Sequence, residues 1–209
     1  MRACCVVLLT FIIAFATYSY ALSLNEVEER MVKGGYLDTL YAAYWALEQG
    51  EAIVPILERM LYHPEKYQKA PFITTGAYPF NVIWALAQID SERSLKVLTG
   101  YSAWTSESFN QNLAQLAIKG FQLRRTKHRK AYGVLVRAEA QLLERPSVKA
   151  RLLIWLKSGQ RVRIVKSYLE NPTEEGPRGG PAVFDYIEIL PWGKRGYLQR
   201  FGGDFTSFI

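Results

Sequence analysis

The sequence predicts an α+β protein of two domains, an N-terminal all-α helical repeat followed by a small C-terminal β-barrel. Three observations lead there. Apolar residues recur at helical spacing from Ser23 to about Arg125 and at a spacing of two beyond Ala131. One helical phrase, Trp45-Ala46-Leu47-x-Gln49, returns 39 residues later as Trp84-Ala85-Leu86-x-Gln88. Finally, Leu152–Tyr168 reads LLIWLKSGQRVRIVKSY, two apolar runs around the turn Lys157-Ser158-Gly159-Gln160. In its second run Val162, Ile164 and Tyr168 fall at even spacing, while Arg161, Arg163 and Lys166 mostly take the other positions. Such alternation marks a half-buried strand, and the stretch is expected to be a β-hairpin with a cationic outer face.

Residues 1–21 read as a secretory signal peptide. Arg2 is a short positive region, Val6–Phe15 an apolar core and Ser19-Tyr20-Ala21 a small-x-small cleavage site. The apolar run is short for a membrane span, which wants about 20 residues. Cys4 and Cys5 precede the apolar core, where a lipid-anchored cysteine would follow it. Cleavage after Ala21 is expected, leaving a chain without cysteine and hence without disulfides or thiolate chemistry. The expected location is the periplasm or the medium outside the cell.

Residues 22–125 are expected to form the helical domain. Ser23-Leu24-Asn25-Glu26 has the form of a capping box, and Gly34-Gly35 ends the helix it opens. Helices follow over Tyr36–Gln49 and Glu51–His63, the second carrying Pro55 where a first-turn proline is tolerated. Residues 64–79 read as a long loop. Further helices are expected over Pro79–Ile89, Ser91–Tyr101 and Ser106–Leu123, with Asp90-Ser91 and Ser106 as caps. The Trp and Tyr stripes recur at helical spacing and are read as core rather than as a cofactor site. A small helical bundle would show the same stripes.

Charge divides the chain sharply. Residues 22–118 hold 7 basic and 11 acidic side chains, residues 119–166 hold 14 and 2, and residues 167–209 hold 4 and 6. The formal net charge of +7 therefore comes from the middle stretch. Its run Arg124-Arg125-Thr126-Lys127-His128-Arg129-Lys130 has no apolar residue, which places a basic linker at 126–131. A barrel over 132–203 and a tail at 204–209 complete the plan. Its strands are expected at Tyr132–Val136, in the two arms of the hairpin, at Phe184–Ile189 and at Gly196–Leu198, with residues 170–181 as a surface loop.

Two resemblances rest on these residues. The repeated Trp-Ala-Leu-x-Gln helix, each copy followed by a second apolar helix, resembles the HEAT-type α-solenoid over about 100 residues. The stretches LLERPS, IWLKSGQRVRIV, FDYIEI and WGKRGYLQ resemble the bacterial SH3-like domain over residues 131–203. Leu156, Gly159, Val162, Ile164, Gly193 and Gly196 fall where that pattern places them. Phe184 or Tyr186 replaces its fourth-strand tryptophan, Tyr197 its late tryptophan, and Trp155 stands at a small-residue position. The second resemblance implies a barrel that recognises peptides through an aromatic-lined groove. Ala138–Arg151, in place of the family's long loop, sets two acids against Arg145, Lys149 and Arg151, so an anionic ligand is expected.

The catalytic inventory is poor. His63 and His128 begin no metal-binding spacing, and His63 before Pro64 reads as a helix C-cap. Glu139 with Glu144, and Glu174 with Glu175, are the available carboxylate pairs. Glu174 and Glu175 sit in a polar stretch with Gly and Pro, which offers no apolar setting to raise a pKa for glycoside hydrolysis. No phosphate-binding or nucleophile-elbow motif is present. The reading is a non-enzymatic exported binding or adaptor protein of the bacterial cell envelope, with no cofactor and no metal. A structural accessory subunit and a cell-wall hydrolase accessory are the alternatives. A protein or peptide partner is expected for it, with peptidoglycan or anionic lipid or polysaccharide as further ligands; nucleic acid is not. Tyr132, Trp155, Tyr186, Trp192, Lys194, Arg195 and Tyr197 are the expected ligand residues, because a small barrel cannot bury so many rings. Trp192 and Tyr197, flanking the Gly-Lys-Arg-Gly turn, are expected at their centre. Arg124, Arg125, Lys127, Arg129, Lys130, Arg161 and Arg163 are the expected basic surface.

Overall fold

A computed structural model describes residues 23–33, 36–67, 77–126, 132–177, 180–200 and 206–209. Helix α1, Leu24–Lys33, opens on the expected capping box. Glu26 N donates to Ser23 Oγ at 3.3 Å, and Ser23 N donates to Glu26 Oε2 at 2.7 Å. Those bonds satisfy two backbone donors, and the donation from Ser23 N, with a second from Ser23 Oγ, pulls the Glu26 carboxyl below its usual range. Helix α2, Tyr36–Gln49, stops at Gly50, whose φ of +57° suits glycine. The next helix divides: Gly50–Ile53 is a 3₁₀ turn, and α3 runs over Val54–Tyr62 with Pro55 in its first turn. His63 caps its end, its N–H donating to Arg59 O. After a 3₁₀ turn at Pro64–Lys66 come α4, Ala77–Ile89, α5, Glu92–Trp104, and α6, Ser108–Thr126. Ser91 Oγ caps α5 by accepting from Ser94 N at 3.1 Å.

Leu57, Met60, Ile83, Leu86 and Leu98, from α3, α4 and α5, meet in one core and have essentially no exposure. Each such side chain contributes about 1.5–3 kcal/mol of burial. Trp84 and Ala85 of the repeated phrase lie in that core, and Trp45 packs against it with the Arg30 guanidinium over its ring.

Six antiparallel strands follow: β1 Tyr132–Val134, β2 Glu139–Leu143, β3 Leu152–Lys157, β4 Arg161–Glu175, β5 Pro181–Ile189 and β6 Arg195–Gln199. They form one curled sheet, a half-barrel, in the order β1-β4-β5-β6-β2-β3. The protein is thus α+β, with helices N-terminal and strands C-terminal. The expected hairpin over Leu152–Tyr168 is corrected. β3 pairs with β2 (Ala140 opposite Leu156), whereas β4 pairs with β1 and β5 (Val162 opposite Gly133 and Ile189). The turn holding Gly159, at φ +79°, is tied to the β1–β2 connection instead. Ser158 N donates to Ala138 O and Gly159 N to Leu135 O. Alternation reports which face a residue takes, not which strand lies beside it. The expected surface loop at 170–181 is also corrected. β4 continues to Glu175, β5 begins at Pro181, and Gly176 N donates to Gly180 O in the turn between them. Polar residues mask this arm because β4 is wet there.

The inner face of the sheet holds Leu142, Leu156, Val162, Ile187, Ile189 and Leu198. Residues 206–209, expected as a tail, return to β1. Val134 and Ile209 exchange backbone hydrogen bonds, and Phe208 enters the core on the inner face of the sheet. Val134 and Ile209 lie in the helical core, so the sheet packs directly on α6. Gly120 of α6 permits the approach: a Cβ there would meet Ile209 O at 2.7 Å. Of the expected linker 126–131, Thr126 ends α6 and the rest lies outside the described residues.

Candidate ligand-binding face

The outer face of the sheet gathers most of the expected ligand residues. One row crosses four strands: Tyr132 stands opposite Arg163, Arg163 opposite Glu188, and Glu188 opposite Arg195. Side chains two residues along a strand share a face. In the next row Lys166 stands opposite Tyr186, Tyr186 opposite Tyr197, and Tyr197 opposite Leu143. The Tyr186 and Tyr197 rings pack at 4.8 Å between centroids.

Glu188 is the carboxylate of this face. Its Oε2 accepts from Arg163 Nη2 and, at 2.8 Å, from Arg195 Nε. Those two bonds pull its pKa below the usual range, and the same pairing raises that of Arg163. One carboxylate shared by two guanidiniums leaves the row with an excess positive charge and with guanidinium donors beyond those Glu188 takes.

Trp155 stands apart on β3, 53% exposed. It lines a pocket of about 270 Å³ with Gln141, Gln199, Val148, Arg137 and Leu143. Trp192, in the β5–β6 turn, is 66% exposed, but Tyr197 stacks on Tyr186 rather than on Trp192. Lys194 Nζ donates to Leu153 O at 3.1 Å, tying the same turn to β3. Tyr132 is buried, so it supports Arg163 rather than offering a ring to solvent. The expected pair Trp192 and Tyr197 is therefore two separate features, and the stacked pair is Tyr186 with Tyr197.

The expected basic surface divides. Arg161 is exposed on β4, and Arg125 on α6 pairs with Glu92. Arg124 is corrected: it is 2% exposed, its Nη2 donates to Ala87 O, and burial lowers its pKa. It lies on the stripe Leu113, Ala117, Gly120, Arg124 that α6 turns inward. Lys127, Arg129 and Lys130 lie outside the described residues.

Two of the carboxylates, Glu174 and Asp185, hold the structure together. Glu174 accepts from Ser147 Oγ and from Val148 N, anchors the 144–151 loop to β4, and is pulled below its usual range by those bonds. Asp185 is fully buried on the inner face and accepts from Arg200 Nη2 at 3.0 Å and Nε at 3.1 Å. The Arg200 guanidinium lies 5.0 Å from the Tyr168 ring centroid, and Tyr168 holds a φ of +58° at a register shift in β4. Among the described residues no group of three His, Cys, Asp or Glu is placed to hold a metal, and no helix is long and apolar enough to cross a membrane.

A second concavity was not anticipated from the sequence. Pro55, Glu58, Arg59, Tyr62, His63, Lys66 and Trp104 line a groove of about 670 Å³ between α3 and α5. Tyr62 and Trp104 form its aromatic wall, their centroids 5.1 Å apart, and the buried Tyr101 packs 5.9 Å from each. Its sequence signal is Gly100 inside α5, where a Cβ would meet Tyr62 Oη at 2.6 Å. Comparison with family models, with curated proteins and with solved structures finds no match to this chain.

Proposed function

We propose that this is a non-enzymatic binding protein of the bacterial cell envelope, exported by its leader, whose outer sheet face holds an anionic peptide or cell-wall polymer. The observation that carries the reading is the row Arg163–Glu188–Arg195 beside the stacked Tyr186–Tyr197 pair. Guanidiniums held in place by one shared carboxylate present forked donors to a second carboxylate, and the rings beside them supply apolar contact at little entropic cost. Lys166 and Arg161 add charge along the same strand. Reading the sheet as an SH3-like barrel and the helices as HEAT-like agrees with this use. The helical groove at Tyr62 and Trp104 then serves a protein partner.

The structural-subunit reading has its own support, since Val134 and Ile209 bury the sheet against the helices. A retention assay separates the two. The chain from residue 22 is incubated with insoluble cell-wall sacculi at about 0.05 M and 0.5 M salt, the Debye length shrinking severalfold between them. Retention that survives high salt is expected for a formed ligand face. Retention lost with salt would reduce the face to nonspecific charge, no retention would favour the structural subunit, and released sugar or peptide fragments would make the protein a hydrolase.

A further inference from the structure

The pocket beside Trp155 is built from three strands and two connections. Gln141 of β2 stands opposite Trp155 of β3, and Gln199 lies on β6 two residues beyond Tyr197, whose partner on β2 is Leu143. Leu143 also lines the pocket, which joins it to the stacked tyrosines of the outer face. Arg137 enters from the β1–β2 connection and Val148 from the 144–151 loop. Glu174 holds that loop by accepting from Val148 N at 2.6 Å and from Ser147 Oγ. The polar groups of the pocket are uncommitted. Among the described residues the half-buried Arg137 guanidinium has no carboxylate and no hydrogen-bond acceptor, and burial pulls its pKa below the usual range with nothing opposing. The side-chain amides of Gln141 and Gln199 and the Trp155 N–H also have no protein partner among those residues. Glu139, at the rim, is exposed, stands opposite Lys157 and exerts no pull on Arg137. A cation drawn out of water without a counter-ion is costly, and a ligand anion removes that cost.

We propose that this pocket takes the C-terminal residue of a peptide, with Arg137 holding its α-carboxylate. The two oxygens of a carboxylate match the fork of a guanidinium. Gln141 and Gln199 each offer an amide NH₂ and a carbonyl, the complement of a peptide group, and Trp155, Leu143 and Val148 supply apolar contact for the last side chain. Size favours a single residue, because about 270 Å³ lies below the roughly 300–1,000 Å³ of pockets that enclose a drug-sized ligand. A sugar carboxylate would set hydroxyls against Leu143 and Val148, whereas an apolar terminal side chain would not. The inference rests on the outer face being a ligand face and names the chain end that one part of it takes.

The test titrates the chain from residue 22 with acetyl-Gly-Gly-Leu and with its C-terminal carboxamide, following the Trp155 indole N–H by NMR. The acid is expected to bind about tenfold tighter than the amide, as one charge-assisted pair allows. Arg137→Gln should cut that preference below about twofold, while Arg93→Gln, which removes an exposed charge on α5, should keep it. If Arg137→Gln does not fold, the wild-type comparison of acid with amide and the Trp155 signal decide. Equal binding of acid and amide, a preference that survives Arg137→Gln, an unmoved Trp155 signal, or glucuronate binding as tightly as the peptide would overturn the proposal. Sacculus retention without the acid preference would defeat this pocket alone. The preference without retention would support the pocket and remove only the cell-wall ligand.

Discussion

Asp185→Ala is expected to destabilise the fold by about 3–5 kcal/mol, because it removes the carboxylate that balances the buried Arg200 charge. The pair plugs the inner face of the sheet, with exposures of 0% and 6% for the two side chains. Replacing both members, Asp185→Leu with Arg200→Met, is expected to recover most of the loss, since desolvating two charges offsets much of their attraction. Urea denaturation of the two variants beside the wild type measures this. A loss below about 1 kcal/mol for Asp185→Ala would place the pair in water, where ion pairs are worth little. A pH dependence accompanies it. Burial pushes the Asp185 carboxyl above the usual range, against the pull of Arg200, the Tyr168 N–H and Ser167. The folded state therefore holds this proton more tightly than the unfolded chain does. Its contribution is full below the ordinary Asp pKa and is lost as pH rises through the raised folded value. Asp185→Asn should remove that decline from the stability profile.

Phe208→Ala carries the second large effect, about 3–5 kcal/mol for a buried aromatic. Phe208 bridges Leu135 and fills the core of the sheet, and a Cβ on Gly133 would meet its ring at 2.9 Å. The neighbouring Ile209 serves the helical core instead. Ile209→Ala should therefore cost about 2–5 kcal/mol through the other core. If sheet and helices fold as one unit, both variants shift a single cooperative transition in differential scanning calorimetry. Two transitions, with Phe208→Ala moving only one, would show that the halves unfold separately.

How much of this was legible in the sequence depends on the range of the interaction. Local signals served well. Ser23, Ser91 and His63 cap the helices where spacing placed them, and Val162, Ile187 and Ile189 face inward as alternation required. Strand partners were not legible. The apolar run of β3 suits a partner before or after it equally, and β2 lies inside a stretch whose Glu139, Gln141 and Glu144 read as loop. The buried ions had a signal that composition obscured. Asp185 shares strand parity with Ile187 and Ile189, and Arg124 shares the inward stripe of α6. Charge suggested surface at both, whereas position along the element gave the burial. The stacked Tyr186 and Tyr197 lie 11 residues apart and meet only through the β5–β6 register.

The outer face as the ligand site is tested most directly by comparing two pairs of substitutions in sacculus retention. Tyr197→Ser with Arg195→Gln alters the sheet, and Trp104→Ser with Lys66→Gln alters the helical groove; none of the four side chains is buried, and melting curves confirm the folds. The sheet pair is expected to lose retention by about tenfold or more, the worth of one charge-assisted contact and one ring. The groove pair is expected to match the wild type. Wild-type retention by the sheet pair, with loss in the groove pair, would contradict the account and move the ligand to the helices.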